Sequence, residues 1–522
     1  MEPNRLTSSL FFLFFLLITV AITFWASRRN KSAGDFLVAS GSLKAWQNGL
    51  AMSGEYMSAA ALLGMTGLLA TTGYNAYLYS IAAVTTWPLI LFLLADPIRR
   101  LGRFTLTDVV SWRLRDKPVR IVAATASIPI TLLYLIAQLV AGGILIKLLF
   151  GLPYTMAVVF VGILTLAYVL FGGMLATSWV QIIKAVMMHG CMIILTLLIL
   201  AQFGFNPFDL FRAVGSSGNA AMLAPTEMAS LGQWDMISLA IAISCGAMGQ
   251  PQILTRFFTV PDARTARKSA VYATGIVGTF HIMVLVVGFG AMALVGKDTI
   301  LQAAGGGNMA VPLVARMLGG DTFLGIVCGV AFATVIAVIA GLTLATATTF
   351  AHDLWAKVVN ADKEHQKTSL GVARAGAVVV ALVAIGLALL FQHINIAFLI
   401  GLSQSITAAV NFPILILALF WRGLSTTGAV AGMVTGVVSS LTLIMLSPTV
   451  QVGLLQGDKA ALANEWWYFP LSNPSIVCVP LALIVMVVVS LRTKEASAQE
   501  KFDEMQVVLN ASDKTEYAAT SH

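Results

Sequence analysis

The sequence predicts an all-α membrane protein with about thirteen transmembrane helices. Of its 522 residues, 58% are hydrophobic and only 10% are charged, whereas about a quarter of the residues of a soluble protein are charged. The apolar residues form runs of about twenty, the length that a helix needs to cross the roughly 30 Å hydrocarbon core of a bilayer. The short alternating segments of a transmembrane β-barrel do not occur in the sequence. Most of the protein surface is therefore expected to face lipid.

The first apolar run, 8–25, is followed by the basic stretch RRNK at 28–31. A full-length run with such a flank predicts a retained helix and not a cleaved signal peptide. Long loops are predicted at 204–234, 297–321 and 448–474, and a polar, loosely ordered tail is predicted at 492–522. No separate soluble domain is predicted. The predicted spans are 8–27, 47–72, 74–95, 119–150, 154–173, 177–203, 235–254, 270–296, 322–351, 371–392, 395–420, 426–447 and 475–491.

The charges between the spans indicate the orientation of the chain. With the N-terminus outside, 24 of the 31 Lys and Arg residues fall in inside segments and five in outside segments, while Lys147 and Lys184 lie within spans. Because basic residues concentrate on the cytoplasmic side, we predict a multi-pass protein of the inner (plasma) membrane with a cytoplasmic C-terminus. The net charge of +8 follows from these loops, and no nucleic-acid partner is predicted.

The sequence gives little sign of an enzyme or of a resident cofactor. Its four cysteines lie in apolar segments without a CxxC spacing, and its six histidines form no ligand pattern. It contains no phosphate-binding Walker A motif, which argues against transport driven by ATP. A coupling ion, Na+ or H+, is the only predicted inorganic partner.

The second span contains a carboxylate at membrane depth. Its sequence, NGLAMSGEYMSAA at 48–60, places Glu55 among glycines, and a charge at that depth costs roughly 2.5 kcal/mol or more. This pattern predicts a helix interrupted near mid-membrane whose freed backbone groups line a cavity. The alternative is that Glu55 serves as a structural partner to a nearby hydrogen-bond donor.

The seventh span contains a similar interruption five spans later. It reads CGAMGQP at 245–251, where Pro251 removes a helical hydrogen bond and the glycines allow a non-helical backbone. Two interrupted helices in corresponding places of two halves indicate a transporter site built on inverted repeats. The N-termini of half-helices favour an anionic ligand. The alternative is a pair of ordinary kinks.

Lys184 lies about two turns into the sixth span. One interpretation is that its ammonium group reaches back to the cytoplasmic surface. The other is a buried ammonium group that fills a cation site or relays a proton.

Several motifs resemble those of the sodium:solute symporter family over nearly the whole chain. They are YVLFGGMLA at 168–176, GAVAGMVTG at 428–436 with Arg422 one residue out of register, and GQP at 249–251 with RFF at 256–258. Within that family, EYMSAA at 55–60, the run 168–176 and HDL at 352–354 resemble the cation/acetate symporter (acetate permease) branch. The resemblance implies a LeuT-type core of five-plus-five inverted repeats with one helix before it and two after it. The implied division is 1–46 for the N-terminal helix and basic loop, 47–203 and 204–420 for the repeats, 421–491 for the accessory helices and 492–522 for the tail.

The same resemblance implies a cation site. Backbone carbonyls of Gly54 and Met57 and a carbonyl at Thr334 match the family's sodium ligands, while its two hydroxyl positions fall on Ala337 and Val338, which have no side-chain oxygen. The family's helix-six acid falls on Gln181 and the Gln that follows it on Lys184, so this pair is a candidate for coupling or proton relay. Sodium and proton coupling both remain open. A shift of register by a residue or two would make Thr343 and Thr346 possible ligands.

The predicted substrate is acetate or a similar short monocarboxylate. Positions that are polar in sugar-carrying members fall on Tyr56, Ala60 and Ala61, and their aromatic gate falls on Gly246. Proline carriers have an acid at the position of Tyr56. The predicted substrate-binding residues are Glu55, Tyr56, Ser58, Gly249 and Gln250, with Glu55 linking substrate and cation. The alternatives are a sodium symporter for another small organic solute (amino acid or vitamin-like), a non-transporting membrane sensor, a passive channel or a membrane enzyme.

Overall fold

A computed structural model describes residues 5–27, 41–102, 104–224, 233–303, 305–359, 366–391, 396–448, 450–451 and 469–511. Throughout this described part the regular structure is helical, which confirms the predicted fold class. The α-helices are α1 Arg5–Ser27, α2 Ala45–Tyr56, α3 Thr66–Thr72, α4 Tyr74–Leu89, α5 Ala95–Leu101, α6 Leu106–Ser111, α7 Asp116–Phe150, α8 Tyr154–Ala201, α9 Pro207–Val214, α10 Gln233–Met248, α11 Pro251–Leu254, α12 Ala263–Leu294, α13 Lys297–Gln302, α14 Ala310–Thr348, α15 Gln366–Leu390, α16 Ile396–Phe420, α17 Thr426–Met445, α18 Ser475–Arg492 and α19 Ala496–Asn510. Between them lie π-helical segments at Ala60–Met65, Ile90–Leu94, Gly215–Asn219 and Thr349–Val359, and 3₁₀ turns at Ala220–Leu223, Thr255–Thr259 and Gly306–Met309.

The described residues contain nine helical stretches that are long and apolar enough to cross a membrane, and three shorter apolar helices at Ala60–Thr72, Tyr154–Ala167 and Arg374–Leu390. Their bounds follow the predicted spans to within a few residues in most cases. Helix α12 is an exception, because it begins at Ala263, seven residues before the predicted start at 270. Asp262 caps this extension by accepting a hydrogen bond from the Thr265 amide at 2.7 Å.

Helix α8 is assigned as 48 continuous residues, although the fifth and sixth spans were predicted there as separate helices. A straight helix of that length would measure about 72 Å, more than twice the hydrocarbon thickness. Its N-terminal residue Tyr154 packs at Gly143, near the end of α7, and Ile199 packs at Gly290, near the end of α12. The ends of α7 and α12 lie on one side of the bundle, because both pack near the contact between Gly67 and Gly307. Both ends of α8 therefore lie on that side, so this chain segment crosses twice, as the two predicted spans require.

The predicted ninth span begins at a backbone break. Gly320 has φ 66° and ψ −166° inside α14, a conformation that residues with a side chain rarely adopt. The residues before it belong to the loop predicted at 297–321, which the structure folds into the short helices α13 and the first part of α14. The break lets the first part of α14 and the predicted ninth span follow one another in different directions, with one residue between them.

One end of the bundle is rich in arginine, and we call it the basic end; it contains Arg99, Arg113, Arg120 and Arg422. Arg113 is 2% exposed. Its guanidinium donates to the carbonyl oxygens of Ala418 and Trp421 at 3.1 and 3.0 Å and of Arg422 and Leu424 at 2.9 and 3.0 Å. These bonds satisfy carbonyl groups that the end of α16 leaves unpaired.

The prediction of a loosely ordered tail is wrong for residues 496–510, which form α19 at the basic end. The helix buries Ala498 and Met505, and its Phe502 ring lies 4.7 Å from the guanidinium carbon of Arg113. Asp503 pairs with Arg422 at 2.8 Å. The segment is amphipathic. Its composition is mostly polar, so the few apolar residues that pack against the bundle did not indicate an ordered helix.

The docked tail predicts a difference between two apolar residues on one helix. Met505→Ala is expected to lower the free energy of unfolding by about 2–5 kcal/mol because it leaves a cavity under α19. Val507, which is 72% exposed, provides the matched control, and Val507→Ala is expected to change stability by less than about 0.5 kcal/mol. Thermal unfolding of the purified protein in detergent measures both. Equal, negligible effects would mean that the tail does not pack on the bundle.

Candidate functional site

The second span is interrupted where the sequence predicted. Helix α2 ends at Tyr56, and helical structure resumes as a π-helical segment at Ala60. The Ser58 hydroxyl accepts a hydrogen bond from the Ala61 amide at 3.3 Å, and the Ser58 carbonyl accepts one from Leu62 at 3.0 Å. Among the described residues, the amides of Ala59 and Ala60 have no acceptor. The break therefore presents two free amide donors at the N-terminus of the second half-helix.

The seventh span is interrupted at the matching place. Helix α10 ends at Met248 and α11 begins at Pro251. The Gly249 carbonyl, released by the break, accepts a hydrogen bond from Asn411 Nδ2 at 2.8 Å. One turn earlier, a Cβ atom at Gly246 would overlap the carbonyl oxygen of Gln404. The absence of side chains at 246 and 249 thus lets α10 pack directly against α16.

A small cavity of about 30 Å³ lies beside the first break. Its lining comes from the first break, from α4 and α7 of the first repeat, and from α10 and α16 of the second. The lining has five polar side chains and six apolar ones, and none of them is charged. The polar members are Tyr56, Ser58, Tyr79, Tyr134 and Gln404, and the apolar ones are Ala60, Ala61, Met65, Ile243, Ala397 and Ile400.

Two of the tyrosines are held in place. Tyr79 donates its hydroxyl proton to the Ala397 carbonyl at 2.6 Å, which joins α4 to α16. Tyr56 stacks edge-on against Trp87, with ring centroids 5.6 Å apart, and lies 6.1 Å from the ring of His281. Tyr134 lies close to Ser58. The cavity therefore has an ordered polar wall at the break.

Glu55 lies directly before Tyr56 and is part of a buried ion pair. Its Oε2 atom accepts hydrogen bonds from Arg256 Nη2 and from Gln181 Nε2, both at 2.8 Å. The Gln181 amide also donates to the Ala337 carbonyl at 3.1 Å, and Arg256 Nη1 donates to Ser178 Oγ at 2.7 Å. Both charged side chains are 1% exposed. The pair joins both interrupted spans to α8 and α14.

The other carboxylate oxygen of Glu55 lies against bare backbone. A Cβ atom at Gly341 would collide with Oε1, so a glycine at this position makes room for the carboxylate. Oε1 has no hydrogen-bond partner among the described residues.

Lys184 adds a second positive group to this cluster. It is 2% exposed, its Nζ atom has no hydrogen-bond partner in the described part of the chain, and it interacts electrostatically with Glu55 and Arg256. Burial this deep contradicts the interpretation in which the ammonium group reaches the cytoplasmic surface. With both basic side chains protonated, the cluster of Glu55, Arg256 and Lys184 carries a net charge of +1.

The predicted cation-binding residues lie around the same cluster. Gly54 packs so closely against α8 that a Cβ atom would overlap the Gln181 carbonyl oxygen. Met57 directly follows α2, and its amide donates to the Ser53 carbonyl at 2.7 Å. Thr334, Ala337 and Val338 are fully buried on α14. The Thr334 hydroxyl donates to the Val330 carbonyl at 2.8 Å.

The two further threonines on α14 differ in their contacts. Thr346 Oγ1 donates to the Thr131 hydroxyl at 2.9 Å. The Thr343 hydroxyl is buried and has no partner within the described residues. Neither contact assigns a cation ligand, and the ligand set stays a prediction.

The predicted substrate-binding residues separate into two groups. Tyr56 and Ser58 line the cavity, whereas Glu55 lies behind it in the ion pair. Gly249 and Gln250 do not line it. The Gln250 side chain instead accepts a hydrogen bond from Gln252 Nε2 at 2.7 Å.

Sequence reasoning missed several residues of the site. Arg256 lies just after the predicted seventh span, which ends at 254, and is therefore predicted to lie in an inside loop. A carboxylate at membrane depth nevertheless indicates a buried cation nearby. Tyr79, Tyr134 and Gln404 lie in spans without any interruption, and only packing brings them to the break. No sequence signal marks them.

A broken-helix cavity between two helical halves, with a buried charge cluster beside it, defines a membrane transporter of the LeuT type. The family model of the sodium:solute symporter family matches residues 36–436, and the chain belongs to that family. It is therefore a cation-coupled solute symporter in its general class.

A solved structure at low sequence identity supports this fold, and two others align more weakly. A substrate-bound, outward-open Na+-coupled sialic acid symporter aligns with a TM-score of 0.74 at 13% identity, covering 93% of this chain and 98% of that one. A nucleobase-cation-symport-1 family transporter in a closed conformation aligns with a TM-score of 0.47 at 13% identity, covering 91% and 99%. A manganese transporter of Eremococcus coleocola aligns with a TM-score of 0.48 at 13% identity, covering 89% and 94%.

Proposed function

We propose that the protein couples the entry of a cation to the uptake of acetate or a similar short-chain monocarboxylate by alternating access. The observation that carries this proposal is the small cavity at the first break, where hydroxyl groups and the start of a half-helix lie opposite apolar side chains. In the proposed topology the protein lies in the inner membrane, with its N-terminus outside and its C-terminus in the cytoplasm.

The polar side of the cavity suits a carboxylate. The unpaired amides of Ala59 and Ala60 point from a half-helix N-terminus, where the helix dipole favours negative charge. The Ser58 and Tyr134 hydroxyls lie next to these amides. The adjacent charge cluster has one more positive group than negative groups when Lys184 is protonated, which adds an attractive field for an anion.

The apolar side suits a short alkyl group and disfavours a polyol. Six of the eleven lining residues are apolar, and a sugar in this space would leave hydroxyl groups without partners at a cost of about 1–3 kcal/mol each. The cavity is also small, with a volume of about 30 Å³, which disfavours a large substrate. A small monocarboxylate can place its carboxylate at the polar side of the cavity and its alkyl group at the apolar side.

We propose sodium as the coupling ion, at the carbonyls of Gly54, Met57 and Thr334. Proton coupling through Lys184 is the second candidate, favoured by one observation: its ammonium group is buried without a hydrogen-bond partner among the described residues. An ammonium group in that position is costly. A cycle of protonation and release would remove the cost in one half of the transport cycle.

Uptake of radiolabelled acetate into proteoliposomes tests both candidates, with inward sodium and pH gradients imposed separately. Sodium coupling predicts uptake that requires inward sodium and survives Lys184→Ala. Proton coupling predicts uptake driven by the pH gradient alone, after correction for passive acetic acid entry with protein-free liposomes, and its loss by about 100-fold or more in Lys184→Ala. Lys147→Ala, which alters an exposed lysine at the end of α7, is the matched control and should transport normally. Uptake driven by neither gradient would contradict the acetate proposal.

A further inference from the structure

Ser58 and Gln404 lie at one end of the cavity, and Met65, Ala397 and Ile400 lie at the other, where the Tyr79 hydroxyl is bonded to the Ala397 carbonyl. The chain moves away from the basic end as it passes from Ser58 to Met65, a separation of roughly 10 Å for seven helical residues. Helix α16 runs the other way and reaches Arg113 at the basic end, so Ala397 lies far from that end and Gln404 lies two turns nearer to it. The packing of Gly64 against Ala397 and of Gly246 against Gln404 fixes this register.

A bound amphiphilic anion has one favourable orientation in such a cavity. Its charged group belongs at the Ser58 end, which begins the second half-helix, because Tyr79 at the other end already donates its hydroxyl proton to the Ala397 carbonyl. Its alkyl group then extends away from the basic end, toward Met65 and Ile400. Each of these two side chains is 7% exposed, and they come from different repeats.

We propose that Met65 and Ile400 set the alkyl chain length that the cavity accepts, with the carboxylate held at the Ser58 end. This inference rests on the proposed function and adds the direction of the substrate and the residues that select it. A pocket that closes on an alkyl chain discriminates by packing, which is worth about 10–200-fold per methylene group. Shortening either side chain extends the cavity along the direction of the alkyl chain.

The test measures inhibition of radiolabelled acetate uptake in proteoliposomes by acetate, butyrate and hexanoate. For Met65→Ala, the ratio of the hexanoate to the acetate inhibition constant is expected to fall by at least about 10-fold relative to the unmodified protein. Ile400→Ala should move the ratio in the same direction. Met283→Ala is the matched control, because Met283 is similarly buried, at 8% exposure, but does not line the cavity; its ratio should stay unchanged.

A second measurement covers variants that bind but do not transport. The stabilisation of the purified protein against heat by acetate and by hexanoate reports binding alone, and the same shift in preference is expected for Met65→Ala. If acetate is transported but neither variant changes the ratio by more than about twofold in either measurement, the assignment of Met65 and Ile400 is wrong while the proposed function stands. If no linear carboxylate inhibits or stabilises the unmodified protein, the proposed function itself fails.

Discussion

Glu55→Gln is expected to abolish uptake and to destabilise the protein by about 3–5 kcal/mol. The substitution removes the only carboxylate that is shown in contact with Arg256, and a buried charge without its partner costs that amount. Lys184 makes the loss worse, because two buried positive groups then repel each other without compensation. The measurements are acetate uptake in proteoliposomes and the melting temperature in detergent, which should fall by about 3–5 °C.

The reverse substitution should cost less. In Arg256→Gln, Lys184 still provides a positive charge near Glu55, so we expect a smaller loss of stability than in Glu55→Gln. The double variant Glu55→Gln with Arg256→Gln should recover part of the stability but no transport, because replacing both members of a buried pair is often nearly neutral. Arg422→Ala is the control, since Arg422 forms an exposed ion pair with Asp503, and exposed pairs contribute little to stability. Equal stability of the unmodified protein, the two single variants and the double variant would show that the Glu55–Arg256 pair has no structural role.

Arg120→Ala is expected to have the second largest effect. Arg120 is 5% exposed and pairs with three carboxylates: with Asp353, with Asp108 at 2.9 Å and with Asp116 at 2.6 Å. Its loss leaves the fully buried Asp353 with the hydroxyls of Thr105 and Thr107, which donate at 3.0 and 3.1 Å, as its described partners. We expect a loss of about 3–5 kcal/mol. Arg120→Lys should recover only part of this stability, because an ammonium group cannot reproduce the several hydrogen bonds that the planar guanidinium donates to the carboxylates.

This cluster also predicts a pH dependence through Asp108. Burial raises the pKa of Asp108, but the hydrogen bond and charge of His352 and the charge of Arg120 outweigh burial and bring the pKa well below its ordinary value. A lowered pKa contributes stability that is complete above the ordinary value of about 3.9 and is lost as the pH falls below it. Asp108→Asn should therefore destabilise the protein at pH 7 and progressively less below about pH 4. A difference in melting temperature that stays constant between pH 7 and pH 3.5 would contradict this assignment.

The same cluster shows why the spacing of histidines along the chain predicts no metal site. The structure brings His352, Asp108 and Asp353 together, with ligand atoms within 4.8 Å of one another, although Asp108 is more than two hundred residues away in sequence. The guanidinium of Arg120 already binds both carboxylates. The arrangement therefore holds α6, α7 and the end of the ninth span together by ion pairs.

Much of the fold was contained in the sequence because a bilayer imposes a strict length and composition on every segment that crosses it. The spans and the two interruptions follow from apolar runs and from Gly, Pro and Glu at membrane depth, such as Glu55 and Pro251. The tail helix escaped prediction because its docking depends on few apolar residues, above all Met505, whose partners come from distant segments. Local composition carries no information about such partners.

The sequence by itself determined the class of protein, the two broken helices and the presence of an uncompensated carboxylate at Glu55. Only the tertiary structure decided which cation compensates that carboxylate, which hydroxyls and amides line the cavity, and that Gln250 does not. The physical reason is the difference between local and long-range interactions. A helix break is encoded by the residues that form it, whereas the pairing of Glu55 with Arg256, 201 positions away, arises from the packing of two repeats against each other.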